Sequence, residues 1–88
     1  MRLIKQIPHE HFLVQLHQYN NKYILSITLD DYEQSFKVPA ENISDTNLLE
    51  AALTPAFYSA CLQDFLNMRT RWIQIQQQLL WKKSSYLV

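Results

Sequence analysis

The chain of 88 residues contains no glycine, and this absence constrains both its turns and its chemistry. Ordinary usage of about 7% would supply roughly six. Glycine allows positive φ angles and lets the main chain approach a ligand closely. Phosphate-binding loops, dinucleotide fingerprints and nucleophile elbows depend on it. The sequence therefore excludes these sites in their usual form and leaves tight turns to asparagine and aspartate, which tolerate positive φ best among the other residues.

The composition predicts one small globular domain spanning residues 1–88. Hydrophobic residues make up 48% of the chain and aromatic residues 12%, which is typical of a folded protein. Eight basic and eight acidic side chains give a formal net charge of zero. This balance argues against nonspecific binding of polyanions, and it removes the charge repulsion that keeps small domains apart.

Cys61 is the only cysteine, so no disulfide can form within the chain. A lone cysteine and an N-terminus without an apolar export segment predict a cytoplasmic protein. No stretch approaches the roughly 20 apolar residues of a membrane span.

The first half of the sequence predicts an antiparallel meander of three or four strands within residues 2–38. Apolar and polar residues alternate over 12–16, 23–29 and 32–38, which is the strand signal. In 23–29 this alternation turns Ile24, Ser26 and Thr28 towards a solvated face. Asn20 and Asn21 occupy one predicted hairpin turn, and Asp30 with Asp31 occupies the next. In the four-stranded alternative, residues 2–7 form the additional edge strand, which ends at a proline.

The second half predicts two helices, so the fold class is α+β. Ser44 or Asp45 can cap a short helix over about 45–53. Thr54 followed by Pro55 is a typical start of a second helix, which we expect to extend over about 55–82 and to pack on the sheet. Its apolar side chains follow spacings of three and four residues: Tyr58, Cys61, Phe65, Met68, Trp72, Ile75 and Leu79.

The predicted long helix exceeds the sheet that supports it. Twenty-eight helical residues span roughly 42 Å, whereas a compact domain of this size has a diameter of roughly 30 Å. Large apolar residues continue on more than one side of its C-terminal third. We therefore expect a small non-catalytic protein–protein interaction domain that acts as a homodimer, an adaptor or a subunit of a larger assembly. The predicted contact residues are Trp72, Ile73, Leu80 and Trp81, with Arg69 and Lys82 at the rim.

Charge is distributed unevenly along the chain. Residues 30–64 hold seven acids and one base, and residues 65–88 hold four bases and no acid. The four bases, together with nearby tryptophans and glutamines, suggest a second hypothesis of weak nucleic-acid binding by the C-terminal helix. Only weak, salt-sensitive binding is expected from four cations.

Metal binding is a third hypothesis, and catalysis is not expected. His9, His11 and His17 share one parity if all lie in a strand, which would turn them to the same side. A further ligand would have to come from a neighbouring strand, where Glu33, Ser35 and Lys37 are the available polar residues. No cofactor is predicted. Cys61 lies in the apolar stripe, where a thiol behaves as a small hydrophobe, and the carboxylates lie in turns, at helix starts and on a polar strand face.

Overall fold

A computed structural model describes the backbone of residues 1–87 and the side chains of residues 1–80. It confirms an α+β fold in which a four-stranded antiparallel sheet precedes two α-helices. The strands follow one another in space as they do along the chain, in the order β1-β2-β3-β4. The elements are β1 (Arg2–Ile7), β2 (Leu13–Tyr19), β3 (Lys22–Leu29), β4 (Tyr32–Pro39), a single 3₁₀ turn (Ala40–Asn42), α1 (Thr46–Ala52) and α2 (Pro55–Leu87).

The hairpin turns are made without glycine, as the sequence predicts. Asn20 and Asn21 have φ angles of 50° and 60°, and Asp30 has a φ of 53°. The Asn20–Asn21 pair matches the two-residue hairpin turn that needs positive φ at both central residues. Short polar side chains therefore fix the register of β2 with β3 and of β3 with β4.

Both α-helices begin with the predicted caps. The Asp45 side chain accepts a hydrogen bond from the Asn47 backbone N–H at 2.9 Å, and Thr54 Oγ1 accepts one from the Phe57 N–H at 3.3 Å. These bonds satisfy donors that the first helical turn leaves unpaired. The predicted short helix is confirmed within a residue at each end, whereas α2 continues to Leu87 rather than ending near residue 82.

The core lies between one face of the sheet and the first part of α2. Its members are apolar and nearly inaccessible to solvent: Ile7, Phe12, Val14, Leu16, Leu25, Ile27, Cys61 and Phe65. Phe12 packs against Phe65 with ring centroids 5.6 Å apart. An ion pair of 2.7 Å between Lys5 Nζ and Glu50 Oε2 joins β1 to α1.

The opposite face of the sheet differs from the prediction at its centre. Ile24 and Ser26, expected to face solvent, are only 7% and 5% exposed. Both lie on the inner strand β3. On β2, His17 lies opposite Ile24 and Gln15 lies opposite Ser26. Because flanking side chains cover a central strand from both sides, alternation alone overstates the exposure of its outer positions.

Candidate protein-binding surface

The covered half of α2, residues 55–68, is held against the sheet. Cys61 and Phe65 are each 2% exposed, and the Gln34 Nε2 donates a hydrogen bond of 3.0 Å to the Cys61 carbonyl. This bond ties β4 to the helix backbone. Phe36, also on β4, lies near Phe57 of α2, with ring centroids 5.9 Å apart.

The free half of α2, defined here as residues 69–80, continues beyond the sheet. The whole helix has 33 residues and a length of about 50 Å. The molecule measures 61 × 29 × 18 Å and has a radius of gyration of 17.5 Å, against about 12 Å for a compact domain of this length. The excess comes from a helix longer than the strands it crosses.

The free half exposes the continuation of the same apolar stripe that forms the core. Trp72 is 50% exposed, Ile75 45% and Leu79 60%, and these residues keep the spacing of three and four that runs from Cys61 through Phe65. Leu80 is 64% exposed on an adjacent side of the helix. A contiguous apolar surface of this kind is typical of an interaction site rather than of a solvated helix.

A groove beside Trp72 marks the point where α2 leaves the sheet. It has a volume of about 520 Å³. Strand β4 and the turn before it form one wall, and α2 forms the other. The lining residues are Asp31, Tyr32, Met68, Arg71, Trp72 and Ile75. We call this the Trp72 groove.

A second groove lies at the other end of β4 and is lined almost entirely by apolar atoms. It has a volume of about 400 Å³ and extends between the sheet, α1 and the start of α2. Residues Phe36, Val38, Ile43, Leu49, Leu53 and Phe57 contribute to it. We call this the Phe57 groove. Phe36 lies opposite the core residue Leu25 and is nevertheless 44% exposed, because it lies on an edge strand with an open side.

Two of the six predicted contact residues, Trp72 and Leu80, lie in this surface. Trp72 lines a groove, Leu80 is exposed, Arg69 is exposed and Ile73 is half-buried on the helix. The side chains of Trp81 and Lys82 lie outside the described residues. The contributions of Tyr32 and Phe36 were missed, since strand alternation gives the face of a residue but not whether a neighbour covers it.

The three histidines do not come together. His9 and His11 lie in the loop before β2, so the expected shared strand parity with His17 is wrong for both. His9 Nδ1 accepts hydrogen bonds from the backbone N–H groups of His11 and Phe12 at 3.1 and 3.3 Å. Its ring lies 4.3 Å from that of Tyr58. Among the described residues, no group of three or more potential ligands is positioned to hold a metal ion.

Burial raises the pKa of two acidic groups on the side of α2 that packs against the core. The pKa of the Cys61 thiol is raised mainly by desolvation and secondarily by the negative charge of Asp64. The pKa of the Tyr58 hydroxyl is raised mainly by desolvation and then by the negative charges of Cys61 and Glu50. A thiolate at position 61 is thus disfavoured, which opposes a nucleophilic role.

These shifts predict a loss of stability in alkaline solution. The native state holds both protons more tightly than the unfolded state. Their contribution to the free energy of unfolding is therefore complete below the ordinary pKa values, 9.0 for cysteine and 10.0 for tyrosine. This contribution is lost as pH rises through the higher pKa values of the native state. Denaturant unfolding measured across this range should show a falling free energy. Cys61→Ala with Tyr58→Phe should flatten the fall, and an unchanged slope in that variant would contradict the assignment.

Comparison with known proteins gives no relative: no protein family, curated protein or solved structure matches the chain. Within the described residues, no helix combines the length and apolarity needed to cross a membrane.

Proposed function

We propose that this protein is a small, non-catalytic, cytoplasmic protein–protein interaction domain that associates with a second copy of itself through the free half of α2. The observation that carries the proposal is the continuation of the core stripe beyond the sheet. Trp72, Ile75 and Leu79 keep the spacing of buried residues while 45 to 60% of their surface remains exposed. Complete burial of an exposed large apolar side chain is worth about 1.5 to 3 kcal/mol. Covering the part of these residues that is still exposed would therefore stabilise a complex by roughly half of that for each residue.

Charge and chemistry support self-association. The net charge of zero leaves no long-range repulsion between copies. The only cysteine of the chain is buried, which suits a reducing compartment such as the cytoplasm. The nucleic-acid hypothesis relies on Arg69 and Arg71 together with Lys82 and Lys83, and the side chains of these two lysines lie outside the described residues. It stays a prediction.

Substitution of two exposed leucines in the free half tests the proposal. We expect Leu79→Glu with Leu80→Glu to raise the dissociation constant of the dimer at least roughly 100-fold, because two apolar contacts are lost on each chain. The melting temperature of the monomer should change little, since both side chains are largely exposed and glutamate is a good helix former. Sedimentation velocity over a concentration series measures the effect.

Leu48→Glu is the matched control. Leu48 is 63% exposed, similar to Leu79 and Leu80, but it lies on α1. Its substitution should leave association unchanged. A wild-type protein that stays monomeric at about 100 μM, or equal weakening by the control, would contradict the proposed function.

A further inference from the structure

The edge strand β4 presents an unused pairing surface. It is the last strand of the sheet, and its register with β3 contains no bulge. Proline occurs in it only at its last residue, Pro39. Long regular edge strands are sites of pairing with another chain unless something blocks them.

The hydrogen bonds of β4 show which of its backbone groups face outward. The Ala40 N–H donates to the Asn21 carbonyl at 2.9 Å, one position beyond the pair of Lys22 with Pro39. Hydrogen-bonded and non-hydrogen-bonded pairs alternate in an antiparallel ladder. The N–H and C=O groups of Glu33, Ser35 and Lys37 therefore point away from β3, towards the open edge.

The side chains of the same three residues form a self-complementary pattern. Glu33 and Lys37 are equally spaced on either side of Ser35, and all three are exposed. Neither charge forms an ion pair among the described residues. A rise of four steps along the strand separates them by about 13 Å, so they cannot neutralise each other within one chain.

We infer that two copies join by antiparallel pairing of their β4 strands about a twofold axis at Ser35, forming a continuous eight-stranded sheet. In this register Glu33 of each copy lies opposite Lys37 of the other, and Ser35 lies opposite itself. The outward N–H and C=O groups of all three residues then pair, and each pair exchanges two hydrogen bonds. Two cross-strand ion pairs form on the open face.

The same register joins the two grooves. Tyr32, in the wall of the Trp72 groove, lies opposite Val38 of the second copy, in the wall of its Phe57 groove. A twofold axis perpendicular to the sheet keeps both helical layers on one side. Each Trp72 groove is therefore next to the apolar Phe57 groove of the other copy. This inference rests on the proposed self-association through α2 and adds the strand pairing that brings the copies together.

Charge reversal tests the pairing without disturbing the core. Glu33→Lys and Lys37→Glu each place like charges opposite each other in both cross-strand pairs, and each should weaken the dimer roughly tenfold or more. The double variant with both reversals should associate as the wild type does. A mixture of the two single variants should also dimerise, because lysines on one chain then face glutamates on the other.

A cysteine at the proposed axis gives an independent reading of the register. In a hydrogen-bonded pair the Cα atoms are about 5.5 Å apart, within the range that a disulfide spans. Ser35→Cys should thus give a covalent dimer under mild oxidation with oxidised glutathione. The matched control is Ser44→Cys, which introduces an exposed cysteine outside β4 and should give no such product.

The outcomes separate the two proposals. Restoration of association in the double variant and in the mixture supports the β4 pairing. Single reversals that associate as well as the wild type or better overturn it. If these variants leave association unchanged while the Leu79→Glu with Leu80→Glu variant abolishes it, the proposed function stands and the strand pairing is wrong. A monomeric wild type overturns both.

Discussion

The Phe65→Ala variant is expected to melt at least roughly 12 °C below the wild type. Phe65 is 2% exposed and packs on Phe12 at the junction of α2 with the sheet. Truncation of a buried phenylalanine to alanine costs about 3 to 5 kcal/mol. A domain of this length has a total stability of roughly 4 to 13 kcal/mol, and each kcal/mol corresponds to about 4 to 8 °C.

The adjacent residue supplies the control. Leu66 follows Phe65 in the same helix and is 45% exposed, so Leu66→Ala should change the free energy of unfolding by no more than about 0.5 kcal/mol. Thermal unfolding should be followed by circular dichroism at a concentration where the protein is monomeric. Similar losses in the two variants would show that α2 is not held on the sheet through Phe65.

Local chemistry explains why most of the fold was predictable. Asn20 and Asn21 supply the positive φ values of a hairpin turn, and Asp45 and Thr54 supply the caps that start the helices. Each of these preferences acts within four residues of chain. In a sequence without glycine, asparagine, aspartate, threonine and proline are nearly the only residues that mark turns and helix starts, so these positions are easy to locate.

The failures of sequence reasoning concern contacts between distant residues. Ile24 is buried because side chains of the neighbouring strands cover it. Phe36 is exposed because β4 has a neighbouring strand on only one side. His9 is a local exception: the hypothesis that it shares a strand with His17 is wrong because its hydrogen bonds to the following backbone hold it in a loop. The part of the candidate site on α2 was proposed from the sequence because the length of the predicted helix exceeds that of the sheet. The part on β4 was not proposed, because only the strand order shows that β4 is an edge strand.

Cysteine reactivity should differ by orders of magnitude between the two halves of α2. Cys61 in the covered half is 2% exposed and burial raises its pKa, so both access and thiolate formation are suppressed. Modification then requires local or global opening. With an opening free energy of about 4 kcal/mol, a thiol reagent should react roughly 1,000-fold more slowly than with an exposed cysteine.

Leu79→Cys in a Cys61→Ala background reports on the free half of the same helix. Leu79 is 60% exposed, so a cysteine there should react at nearly the rate of a small thiol when the protein is dilute. As the concentration rises, self-association should cover the site and slow the reaction. Fast, concentration-independent reaction at position 79 would show that a second copy does not cover the free half. Slow reaction at high dilution would show instead that the chain covers this surface itself.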